Sequence, residues 1–167
     1  MKKLVLSLAM VLGVAFAFGQ QQLTKEELKQ QKRQIKALMG IVNDAEVNLH
    51  TDPVAASNSL KPVLKNSLVN KDAYVWYVSA NAKKAVIDQE NNKRVEGAAY
   101  DEEKLYSYTY EIGKDLKMCE ECDQLPDKKG KVKPRYGEFL KTSYMQQYGQ
   151  FYNAGAYYYG NEEYKKA

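Results

Sequence analysis

The chain has 167 residues, with 25 lysines and arginines against 21 aspartates and glutamates, one histidine and two cysteines. A formal charge of +4 over that length is too slight for a nucleic-acid-binding face, which needs a dense array of cations set against phosphates. One histidine and a single thiol pair do not supply the second ligand pair that a structural zinc site requires, and no phosphate-cradling glycine loop occurs, so no metal or cofactor is expected.

Met1-Lys2-Lys3 precedes a largely apolar run from Leu4 to Phe18, and Gln20-Gln21-Gln22 turns the chain abruptly polar. That order of parts is a secretory signal peptide, with cleavage near Gly19 after Ala17-Phe18-Gly19, or at Ala15-Phe16-Ala17. The run falls short of the roughly 20 apolar residues that cross a bilayer, and no cysteine follows the cut to carry a lipid. The expectation is an exported product, periplasmic or secreted, without stable membrane insertion once residues 1–19 are removed. Cleavage leaves 23 basic and 21 acidic residues, a nearly neutral chain of a size for one domain or part of a repeat array.

Beyond the signal, apolar spacing is helical throughout and no segment alternates as a strand would. Thr24-Lys25-Glu26-Glu27 is a capping box that starts a long first helix, with Leu28, Ile35, Leu38, Val42, Ala45 and Leu49 as its stripe. Asp52-Pro53 caps and opens a second helix that buries Ala56, Leu60, Val63 and Leu64, and Pro62 is expected to kink it. A third helix is predicted from Asp72 to Ala85 or beyond, followed by a polar loop or fraying end over Asp88–Lys93. A fourth begins at Asp101-Glu102-Glu103 and presents Leu105, Tyr108, Ile112, Leu116 and Cys119. Asp123–Lys133 reads as a loop, Pro134 as the start of a fifth helix, and Gln150 to Tyr159 as a sixth. Gly160-Asn161 would then turn the chain into a seventh helix, cut short at Ala167, so the chain reads as an N-terminal fragment. The predicted organisation is a signal at 1–19, a long helix within 20–50 and a repeat-like helical region over 51–167.

The most informative motif is the run from Phe151 to Tyr158, which includes Ala154 and Gly155 and is followed by Tyr164 and Ala167. It resembles the tetratricopeptide repeat, in which a large aromatic, a small residue with glycine and a tyrosine lie on one helix, and a tyrosine and an alanine lie on the next. Trp76, Ser79 and Ala80 resemble a degenerate earlier copy, with Lys83 where tyrosine is usual and Asn70 near the usual proline. The 75 residues from Trp76 to Phe151 exceed two periods of about 34 residues, so an array would be irregular. The resemblance implies an all-α fold of six to seven helices, stacked as antiparallel pairs in an α-solenoid, and a concave face that binds protein or peptide. It implies no catalysis, and the chain is expected not to be an enzyme.

Cys119-Glu120-Glu121-Cys122 invites three chemical readings. Disulfide exchange wants a helix N-terminus, whereas these thiols lie at a helix end among acids, and haem attachment wants histidine where Asp123 stands. What remains is a pair of inert packing cysteines or a local Cys119–Cys122 disulfide. His50 falls between two helices with no nucleophile motif beside it. Of the fourteen tyrosines, most are expected to fill helix wedges, with Tyr152 and Tyr157 as candidate ligand contacts. A second function from a different class is a periplasmic or secreted protein that binds a carbohydrate or cell-wall fragment on this tyrosine-rich surface.

Overall fold

A computed structural model of the chain describes residues 24–127 and 129–166. The signal segment assigned to residues 1–19 lies outside them, and so does Ala167. Five helices and no strand occur among the described residues: α1 Lys25–Val47, α2 Pro53–Leu64, α3 Ala73–Val95, α4 Glu102–Asp123 and α5 Gly137–Gly160. None is long and apolar enough to cross a membrane. Contacts divide the chain into a stretch up to Gln34 and a main unit from Ile35 onward.

In the first stretch the capping box forms as its residue types require. The Thr24 amide donates to Glu27 Oε2 at 2.8 Å, and the Glu27 amide donates to Thr24 Oγ1 at 3.3 Å.

The main unit is built from helices that pack on their sequence neighbours, α2 on α3, α3 on α4 and α4 on α5. Each of the first two begins on an aspartate: Asp52 accepts from the Ala55 amide at 2.9 Å, and Asp72 from the Tyr74 amide at 3.0 Å. α3 holds the unit together because it is apolar on two faces. Val75, Val78 and Ala82 face a cluster with Val42, Ala45, Ala56, Leu60 and Val63. Ala73, Ala80 and Ile87 join a second cluster with Leu105, Ile112, Leu116, Leu140, Ala154 and Tyr158.

Five sequence expectations change. Asp88–Lys93 is helical, because polar residues there sit at helical spacing with partners: Lys84 pairs with Asp88 at 2.6 Å, and buried Glu90 takes Lys93 at 2.9 Å and Lys104 at 3.0 Å. The helix instead stops at Gly97, whose φ of +72° closes a Schellman turn with Ala98 N–H on Lys93 O at 2.9 Å and Gly97 N–H on Arg94 O at 3.2 Å. Pro62 is exposed, outside the buried stripe, and α2 runs past it to Leu64. α5 starts at Gly137 and not at Pro134, because the buried Asp123 carboxylate accepts from the Arg135 amide and, at 2.9 Å, from the Tyr136 amide. The carboxylate at the end of α4 thus anchors the two residues that lead into α5. Lastly, the predicted fifth and sixth helices are one: α5 passes through Gly149, where a side chain would meet open space and nothing interrupts the backbone ladder. Past Gly160 the described chain forms turns, with Glu162 at φ +61°, and not a seventh helix. Five helices therefore stand where six to seven were expected.

Candidate functional site

Two charged side chains that the apolar pattern does not call for line the floor of a groove in the main unit. Lys83 follows Ser79 by one turn on α3, and Asp115 falls between Ile112 and Leu116 on the buried face of α4. Ser79 Oγ donates to Asp115 Oδ2 at 2.5 Å and Lys83 Nζ to the same oxygen at 2.6 Å, with Glu111 3.5 Å from the ammonium. Burial pushes the Asp115 carboxyl above its usual range, against the pull of Lys83 and Ser79. The cluster ties α3 to α4 and is closed upon itself.

Above this floor lies a groove of about 730 Å³ bounded by α2, α3 and α4. Leu64, Trp76 and Met118 make an apolar wall, and the Trp76 indole is held by its N–H on Asn70 O at 2.7 Å. Lys61 and Lys65 line one rim, Lys114 and Lys117 the other. A second groove of about 340 Å³ lies between α4 and α5, lined by Phe151, Gly155 and Lys166 and again by Lys114 and Lys117. The two lysines of α4 therefore border both.

The motif residues divide between these places. Ser79 and Ala80 are fully buried, and Trp76 is half-buried in the groove wall. On α5, Ala154 and Tyr158 are buried, and the Phe151 ring lies 3.5 Å from where a side chain on Gly113 would begin. The aromatic wedge thus closes against α4, with Tyr158 edge-on to Tyr110 at 6.1 Å. Tyr164 is 63% exposed and touches Tyr159 edge-on, and Ala167 lies outside the described residues. Tyr157 packs on Tyr106 at 4.8 Å, whereas Tyr152 projects to solvent from α5, as do Met145, Tyr148 and Tyr159. These four lie within one side of the helix at spacings of three, four and seven residues.

Cys119 and Cys122 are free thiols, each donating to a carbonyl at α3 or in the turn before it: Cys119 Sγ to Ala73 O at 3.5 Å and Cys122 Sγ to Asn70 O at 3.6 Å. Burial, reinforced by Asp123, pushes the Cys119 thiol up to about 12. Burial raises Cys122 as well. With so little thiolate, alkylation of the folded protein near pH 8 is expected to run at least about 100-fold slower than that of free cysteine. Both thiols should label fully in denaturant without reductant. A fast-reacting thiol in the native state would contradict the packing role, and labelling that needs reductant would show a disulfide.

His50 borders a third, polar groove with Asn81, Lys84 and Asp88, and among the described residues no cluster of three metal-ligating side chains occurs. The lysine rims and the Ser79–Lys83–Asp115 cluster escaped sequence reasoning. A lysine and an aspartate at buried helical positions were the available signal. The chain matches no protein-family model, no curated protein and no solved structure.

Proposed function

We propose that the protein is an exported, non-enzymatic adaptor of the tetratricopeptide-like helical-repeat kind, binding a peptide or protein segment in the groove bounded by α2, α3 and α4. The observation that carries this reading is the open apolar wall of Leu64, Trp76 and Met118, set over a floor whose charges are already satisfied by one another. A floor of that kind offers no unpaired acid, base or nucleophile for chemistry, while the wall offers area to a side chain. Packing of helices on their sequence neighbours and the aromatic and small residues of α3 and α5 support the repeat-like part. The signal segment supports export.

Selection from a random peptide library, followed by NMR titration of the best binder, tests the reading. Shifts should concentrate on Leu64, Trp76 and Met118, and failure of any library peptide to move them would refute it. The second reading, glycan binding, is favoured by the exposed stripe of Tyr148, Tyr152 and Tyr159. It predicts shifts confined to that stripe on adding soluble cell-wall oligosaccharides.

A further inference from the structure

The rims of the groove bounded by α2, α3 and α4 carry more lysines than carboxylates. Lys83 is committed to Asp115 at the floor, with the part-exposed Glu111 carboxylate 3.5 Å away. Lys117 has only Glu121 at 3.9 Å, with both side chains more than half exposed, a pairing worth little in water. Among the described residues, no carboxylate comes within 4 Å of Lys61, Lys65 or Lys114. Lys114 instead leans over the Tyr110 ring, 4.2 Å from its centroid. Four ammonium groups thus stand on opposite sides of one trough, outnumbering the two part-exposed carboxylates that line it on α4, Glu111 and Glu121, in a chain whose total charge is only slightly positive. Such local concentration selects an anionic partner through complementarity at the rim, while the apolar wall supplies area.

We propose, resting on the peptide-binding reading above, that the groove takes an extended acidic peptide segment, with carboxylates on Lys61 and Lys65 at one rim and on Lys114 and Lys117 at the other. An apolar side chain of the ligand lies between them on Trp76 and Met118. The segment is extended because Lys114 and Lys117 also border the second groove, where Phe151 and Lys166 continue the same pairing of an apolar surface with a cation. A ligand that crosses α4 meets lysines on both sides of it. A compact anion would use one rim and leave the wall uncovered.

The chain's only tryptophan lies in this wall, so Trp76 emission reports occupancy directly. The probe is a synthetic decapeptide alternating glutamate and leucine, blocked at both ends, compared with its glutamine–leucine counterpart and with dextran sulfate. The glutamate peptide should change Trp76 emission saturably at about 50 mM salt and bind about tenfold more weakly at about 500 mM. Paired reversal Lys61→Glu with Lys114→Glu should weaken it at least about tenfold. Reversal of Lys29 and Lys32, exposed on α1, should leave it unchanged. All these lysines except Lys83 are outside the core, and an unchanged melting curve for each variant confirms that folding is not the cause.

Equal binding of the glutamine peptide, with no effect of the rim reversals, would overturn the acidic preference while leaving peptide binding intact. Failure of both peptides to perturb Trp76 would overturn both readings. Tighter binding of dextran sulfate than of the glutamate peptide, lost in the same rim variant, would overturn the peptide assignment in favour of an anionic glycan.

Discussion

Replacing Asp115 with leucine should destabilise the protein by about 3–5 kcal/mol and lower its melting temperature by roughly 10 °C or more, because it strands a buried ammonium. Lys83 would keep only Glu111 at 3.5 Å, a half-exposed carboxylate, and Ser79 would lose its acceptor. The converse change, Lys83→Met, should cost clearly less. Burial already holds the Asp115 carboxyl above its usual range, so that group can shed its charge by binding a proton and still receive the Ser79 hydroxyl. Combining Lys83→Met with Asp115→Leu removes both charges and should recover most of the loss, since two apolar side chains of similar volume can replace a buried pair at little cost. Thermal melts of the three variants give the comparison. A double variant as unstable as Asp115→Leu alone would mean that the pair stabilises the fold beyond mutual compensation. The same variants separate the floor from the rim. If the pair serves the fold and the rim lysines serve the ligand, the double variant should still bind the glutamate peptide.

The starts of α1, α2 and α3 were legible because each is written in a few adjacent residues. Thr24 with Glu27, Asp52 with Pro53, and Asp72 all cap as their types require. What the sequence concealed depends on partners far along the chain. The polar run after Ala85 looks like a loop until Glu90 is seen to reach Lys104 and the Asp101 amide across the turn. Pro134 looks like a helix start until Asp123, eleven residues earlier, is found to take the amides of Arg135 and Tyr136. Gly149 looks like a break, yet a lone glycine costs a helix only about 1 kcal/mol, and no cap or proline accompanies it. The same limit applies to the groove. Trp76 stood out by type, but Lys61, Lys65, Lys114 and Lys117 belong to two helices and read separately as ordinary solvated lysines. Only the packing of α2 and α4 on α3 brings them around one trough.

Glu90 should govern the acid limb of stability. Its side chain is buried at the end of α3, where burial alone would raise its pKa. The Asp101 amide at 3.0 Å, Lys93 at 2.9 Å and Lys104 at 3.0 Å outweigh that and hold it at about 2, against an ordinary value of 4.5. The folded value lies below the unfolded one, so the stabilisation is fully present above about pH 4.5 and is lost as pH falls from there towards 2. At about 1.4 kcal/mol per unit the group contributes on the order of 3 kcal/mol at neutral pH. Glu90→Gln keeps the shape and resembles the protonated acid. Its stability should therefore fall short of the wild type by about 3 kcal/mol near pH 7, and the gap should narrow steadily below pH 4.5. Urea unfolding of both proteins across that range measures the difference while other carboxylates cancel. A gap that stays constant with pH would show that the amide substitution acts by disturbing the packing between α3 and α4, and not by removing the charge that Lys93, Lys104 and the Asp101 amide surround.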